Sequence, residues 1–188
     1  MPTSETLDVI TRRYSCRAFS DQPVPDDVAD AILTAGLHAP SANNKQPWRL
    51  ISITDKALIR EIDDAGVAFI READPPAYER TMGRGGHLLY NTPLMVLIAA
   101  QIMDNPYVDL DCGIVCSHLA LAATSLGVDS LIAGMPRNSF AGEGGAELAK
   151  RAGIPDGFRF ALSVLFGYAA GDARPGHEID PSKIIRVH

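Results

Sequence analysis

Two short stretches carry the residues best equipped for chemistry. The first is RRYSCR, Arg12–Arg17, which places Arg12, Arg13 and Arg17 around Ser15. Guanidinium groups grip phosphate oxygens in pairs, and a serine hydroxyl with neighbouring backbone N–H groups completes such a site. A helix end that merely carries solvated arginines would look the same in isolation. The second stretch is APSANNKQPW, Ala39–Trp48, with two prolines, two asparagines, a serine and the only tryptophan of the chain. A plain connector has no need of so much backbone-fixing and hydrogen-bonding chemistry.

Other chemistries find little support. Cys16, Cys112 and Cys116 are too few for a disulfide framework. Cys112 and Cys116 lie four apart in an expected helix and share a face, where small apolar core residues are the natural reading. His38, His87, His118, His177 and His188 show no zinc spacing. Neither a nucleophile elbow, a Walker loop nor a dinucleotide glycine fingerprint occurs, and GRGG (Gly83–Gly86) and GEGG (Gly142–Gly145) read as turns.

These stretches need elements to position them. Thr6–Tyr14 has helical spacing, and Asp26–His38 is a helix with an apolar face at Val28, Ala31, Ile32, Ala35 and Gly36. Pro25 opens that helix, Asp26 and Asp27 suit its positive end, and Pro40 closes it. Trp48–Ile53, Pro93–Ala100, Val128–Ala133 and Phe158–Tyr168 read as strands, with Ile184–Val187 a last one. Asp55–Ala65 and Gly145–Ala152 read as shorter helices, while Gly66–Tyr90, with DPP in its middle and some helical periodicity, gives no clear pattern. Asp109–Leu126 is a helix apolar almost all round, stopped by Gly127, so it belongs in a core or a subunit interface.

Strands and helices mix without strict alternation, which predicts one α+β domain over residues 1–188, with helices on both faces of a mixed sheet. The chain holds 23 acidic and 17 basic residues, for a net charge of −6. That balance argues against a nucleic-acid partner or an anionic membrane surface, though not against a local basic pocket. The longest apolar run is too short to span a bilayer, and no basic-then-apolar leader opens the sequence. A soluble cytoplasmic protein is expected.

The pieces also fall in a telling order. RYSCRAF (Arg13–Phe19) precedes a helix, then come APSA (Ala39–Ala42), Asn44 and QPW (Gln46–Trp48), followed directly by a strand. Later come LALAATSLGVDSLIAG (Leu119–Gly134) and AGIPDGFRFALSVLFGY (Ala152–Tyr168). Over nearly the whole chain this resembles the nitroreductase family of FMN-dependent oxidoreductases. The resemblance implies a three-layer sandwich and a homodimer with two FMN molecules in its interface. Arg13 and Ser15, with Tyr14 between them, would meet the FMN phosphate. Arg17 would lie nearer the ribityl chain and the flavin N1/O2 edge. The loop of Pro40, Ser41, Ala42 and Asn44 would reach the flavin held mainly by the other subunit. Ile132, Ala133 and Gly134 would run along the other side of the ring. A basic residue of the tail, Arg174 first and Arg186 second, would complete the phosphate site.

By the same resemblance, NAD(P)H would supply a hydride and a small nitroaromatic, quinone or similar acceptor would receive it, in a ping-pong sequence. No side-chain acid or base and no metal is required, because the flavin carries the chemistry. Three other uses of the fold stay open: breakdown of the flavin itself, reductive dehalogenation, and a flavin-binding module without turnover.

Overall fold

The computed structural model describes residues 4–171 and 178–187. Its sheet consists of β1 (Trp48–Ile53), β2 (Leu94–Gln101), β3 (Asp129–Ala133) and β4 (Phe158–Gly167), in the order β1-β2-β4-β3. Trp48 stands opposite Ala100, Leu94 opposite Phe166, and Leu131 opposite Leu165. All three ladders are antiparallel, which corrects the expected mixed sheet; among the described residues the one parallel pairing is an isolated bridge between Ser15 and Ser130. An apolar run like that of β2 reports cover on both faces, not the direction of neighbouring strands.

Side chains alternate across the sheet with the period of two that a pleated strand imposes. Leu94, Val96, Ile98 and Ala100 of β2 enter one core with Val164 and Phe166 of β4. Met95, Leu97 and Ala99 enter the other, with Leu165. The first core is closed by α2 (Asp26–Leu37) and α5 (Val108–Ser125), and the second by α3 (Lys56–Ala73) and α6 (Gly145–Arg151). Fully burying one such aliphatic side chain stabilises the fold by about 1.5–3 kcal/mol, so the seven buried residues of β2 are a large share of what holds it together. Gly36 lets α2 and α5 approach closely: a Cβ there would fall 2.5 Å from a methyl carbon of Leu119.

Several boundaries differ from expectation. Helix α1 (Glu5–Arg12), capped by Ser4, ends two residues early, so that Arg13 already has extended backbone. Pro25 stands one place outside α2. Helix α3 continues to Ala73, and α4 (Pro75–Met82) follows in the stretch that gave no clear pattern. Ile184–Val187 forms no strand: Ile185 is 87% exposed and Val187 92%, and neither lies on an edge of this chain's sheet. Gly127 does end α5, with φ +73°. Helix α5 is the one described helix long and apolar enough to cross a membrane, and its inward residues Cys112, Val115, Cys116 and Leu119 are buried in the first core.

Candidate functional site

Because α1 ends at Arg12, the arginine-rich stretch runs on as extended chain along β3 and the end of β4. The Cys16 N–H donates to the Ser130 carbonyl (3.0 Å), Ser20 N–H to Tyr168 (2.8 Å), and Ala170 N–H to the Ala18 carbonyl (2.9 Å). Phe19 and Ala169 form a bridge, and the Asp129 carboxylate accepts from the Ala169 N–H at 2.8 Å. These bonds hold the segment at the sheet edge, and Cys16 and Phe19 anchor it in the second core. Arg13, Tyr14 and Ser15 are half-buried and Arg17 is exposed. The hydroxyl of Tyr14 turns inward; burial, with the Asp129 carboxylate nearby, drives its pKa well above the usual phenol value. Tyr14 therefore presents no ionisable group to a ligand.

Arg17 reaches the rim of a cavity of about 210 Å³ whose other wall is the end of β3: Leu131, Ile132, Ala133 and Gly134. Thus four of the residues singled out in sequence, Arg17, Ile132, Ala133 and Gly134, meet at one place. Ile132 is 39% exposed, an apolar surface left open toward the cavity. A Cβ on Gly134 would meet only Leu162, at an ordinary 3.7 Å. The protein's own packing does not demand glycine there, so the open space belongs to the cavity.

Helix α4 and the segment after it supply the third wall, through Ala77, Arg80, Thr81, Arg84, Leu88 and Tyr90. None of these was singled out in the sequence. A signal was present: Asp74 caps the N–H of Ala77 at 3.0 Å and Pro75 occupies the first helical position, a standard helix opening. GRGG is the turn that ends α4, with Gly85 at φ +102° and Gly86 at +80°. The returning segment is tied down by Asp63, a buried carboxylate on α3. It accepts from the N–H groups of Leu88 (2.7 Å) and Leu89 (3.1 Å) and lies 2.7 Å from Nδ1 of His87. Tyr90 and Asn91 then take left-handed backbone, at φ +50° and +55°. Asp63, His87 and Asn91 also line a second cavity of about 550 Å³, whose charged residues are of both signs: Lys56 and Arg60 face Asp21 and Asp64.

The other stretch does not join the first. Pro40, Ser41, Ala42 and Asn44 line neither cavity. Their loop is built to hold its own shape. The Ala42 N–H donates to Oδ1 of Asp111 on α5 (3.0 Å), and the Ser41 hydroxyl accepts from the Gln46 N–H (2.9 Å). The Gln46 amide donates to Oδ1 of Asn44 (2.8 Å). Asn43, Asn44 and Gln46 all have positive φ, near +50°, a conformation that costs a side chain about 1 kcal/mol or more and is kept only where surrounding bonds enforce it. Arg174 lies outside the described residues, and Arg186 is exposed in the tail. Among the described residues no cluster of histidine, cysteine and acidic side chains could hold a metal ion.

The pattern of the nitroreductase family matches residues 10–168. A protein of Archaeoglobus fulgidus, provisionally named an NADH dehydrogenase/NAD(P)H nitroreductase, is 29% identical over 97% of both chains. Among solved structures, a nitroreductase with bound FMN from Desulfitobacterium hafniense is similar over 100% of both chains, with a TM-score of 0.95 at 39% identity. A nitroreductase with bound FMN from Bacteroides fragilis is similar over 99% of this chain and 100% of its own, with a TM-score of 0.89 at 25% identity.

Proposed function

This chain belongs to the nitroreductase family, and from that premise we propose that it is an FMN-dependent oxidoreductase. It takes a hydride from NAD(P)H and reduces a small acceptor, a nitroaromatic, a quinone or similar, in a ping-pong sequence. The observation that carries the reading is the meeting of Arg17 with the Ile132–Gly134 end of β3 at one cavity. That lining fits a flavin: an open apolar wall for a ring, an unfilled position at Gly134, and a guanidinium on the rim. Bound FMN would supply hydride acceptance and donation, chemistry that no side chain here can perform.

The protein's part is binding and electrostatics. Arg13 and Ser15, with the backbone of Tyr14 between them, hold the phosphate, and Arg174 completes the charge. Arg17 places a positive charge at the N1/O2 edge, where it favours the reduced, anionic state. Ile132, Ala133 and Gly134 back the ring, leaving its opposite side for reductant and acceptor in turn, from which ping-pong kinetics follow. Protons come from solvent.

The flavin site is shared between two subunits of a cytoplasmic homodimer. The Pro40–Asn44 loop is rigid, rich in hydrogen-bonding groups and remote from its own chain's cavity, which supports its use on a partner's flavin. Leu7 and Ile10 of α1 and Leu110 of α5 are exposed apolar side chains on two helices that pack together, a surface suited to the partner. We expect an interface above roughly 2,000 Å² in total.

The purified protein should show a flavin absorption spectrum, bleached anaerobically by NADH or NADPH, and acid precipitation should release FMN. A colourless protein that takes up no FMN on reconstitution overturns the reading.

A further inference from the structure

The cavity that we assign to the flavin is positively charged in a protein that is not. Three arginines line it, Arg17, Arg80 and Arg84, and no aspartate or glutamate does among the described residues. The second cavity, by contrast, is lined by groups of both signs, Lys56 and Arg60 with Asp21, Asp63 and Asp64. Three surface arginines have acidic partners: Arg12 with Asp8, Arg151 with Glu61 and Arg159 with Asp109. Arg80 and Arg84 form no salt bridge among the described residues. Arg80 lies in the last turn of α4 and Arg84 in the GRGG turn just beyond it, and Ala77 and Thr81 of α4 are buried. The helix is thus seated by small residues, and both cations line the cavity. Glu79 is exposed and does not line the cavity.

Three guanidinium groups around one cavity with no carboxylate in its lining repel one another. Their use is explained by an anion that arrives from outside. We propose that Arg80 and Arg84 are specificity-determining residues that select a planar co-substrate bearing an anionic group, a carboxylate, sulfonate or phosphate. The ring of that molecule lies on the flavin face turned away from Ile132–Gly134, and its charge lies toward Arg80 and Arg84. This rests on the FMN-oxidoreductase reading. Two molecules have the required chemistry: an acidic aromatic acceptor, and a reductant carrying the 2′-phosphate of NADPH.

The test compares neutral and charged members of matched pairs on the FMN-loaded protein. With NADH as reductant, kcat/KM is measured for 4-nitrobenzoate and for nitrobenzene; with nitrobenzene as acceptor, it is measured for NADPH and NADH. The variants are Arg80→Gln with Arg84→Gln, and the double change to Glu. Glutamine keeps helix propensity, and thermal melting checks the fold. Losing charge-assisted bonds of this kind should lower the charged-over-neutral ratio about tenfold in the Gln variant, and reversal to Glu should lower it further. A fall confined to the nitrobenzoate pair assigns the anion to the acceptor, and a fall confined to the NADPH pair assigns it to the reductant. Unchanged ratios in both pairs overturn the proposal, as does a loss of FMN affinity with ratios intact, which would give the arginines to the flavin. A wild-type protein that binds no FMN is a different result: it removes the functional reading itself.

Discussion

The two faces of the sheet are built from the same strands and solve packing in opposite ways. On one face α2 and α5, of 12 and 18 residues, lie close together and fill the surface. On the other, α3 shares the cover with α4, α6 and the short helix Met135–Phe140, of eight, seven and six residues. Both cavities lie on this second face or at its edge, and neither is lined by a residue of α2 or α5. The smaller cavity opens beside α4 and the turn after it, and the larger one lies between the first turns of α3 and the segment 87–93. The comparison teaches where binding can reside: the α2–α5 face supplies rigidity and the Pro40–Asn44 loop, and the other face supplies the space.

If the loop on the close-packed face serves a partner's cavity, separating the subunits should cause the largest change of all. Dilution monitored by sedimentation and flavin fluorescence should show dimer dissociation and FMN release with a common midpoint. A flavin-saturated monomer would return the loop to its own chain and break the comparison.

Next in size is Asp63→Ala on the cavity face. It strands the buried N–H groups of Leu88 and Leu89, at a cost of about 2–4 kcal/mol in urea unfolding. A change below about 0.5 kcal/mol would show that the 87–91 segment is held by packing alone. Arg13→Ala should weaken FMN binding by about one to two powers of ten, the worth of a charge-assisted bond, as read by fluorescence titration. Unchanged affinity would leave Arg13 a solvated surface residue.

A smaller effect is expected at Asp111, which ties α5 to the loop through the Ala42 N–H. Asp111→Ala should weaken FMN binding by about three- to tenfold, roughly one ordinary hydrogen bond, while Asp111→Asn, which keeps an acceptor oxygen, should do less. Equal effects from both would mean that the bond does not set the loop's position.

The smallest effect concerns pH. Burial raises the thiol of Cys112 from 9 to about 11, and that of Cys116 to about 12. A raised folded-state value means that the native protein holds these protons more tightly than the unfolded chain. Their contribution is therefore complete below about pH 9 and is lost as pH rises toward 11–12. Melting temperature should fall over that window, and Cys112→Ser with Cys116→Ser should flatten the fall. An identical alkaline profile in the double variant would place the sensitivity elsewhere.

Legibility in the sequence followed the distance over which each signal acts. Strand β2 could be read because seven apolar residues stand side by side, and Gly127 because a helix stop is a local event. Helix α4 was missed although Asp74 and Pro75 announced it, because Arg80, Arg84 and Glu79 obscure the small buried residues Ala77 and Thr81. Tyr14 sits within the proposed ligand motif, yet its hydroxyl is buried, a consequence of packing against distant residues that the local sequence does not signal.

What the sequence determined by itself was most of the elements, through short-range periodicity and capping, and a family resemblance carried by the order of its motifs. What only the tertiary structure decided was adjacency. Arg17, Arg80, Arg84 and Gly134 line one cavity because the antiparallel order β1-β2-β4-β3 brings the N-terminal segment beside β3. The same order sends Pro40–Asn44 to another part of the molecule. Periodicity says which side of an element is buried. It does not say against what, because burial is non-directional and many partners satisfy it equally.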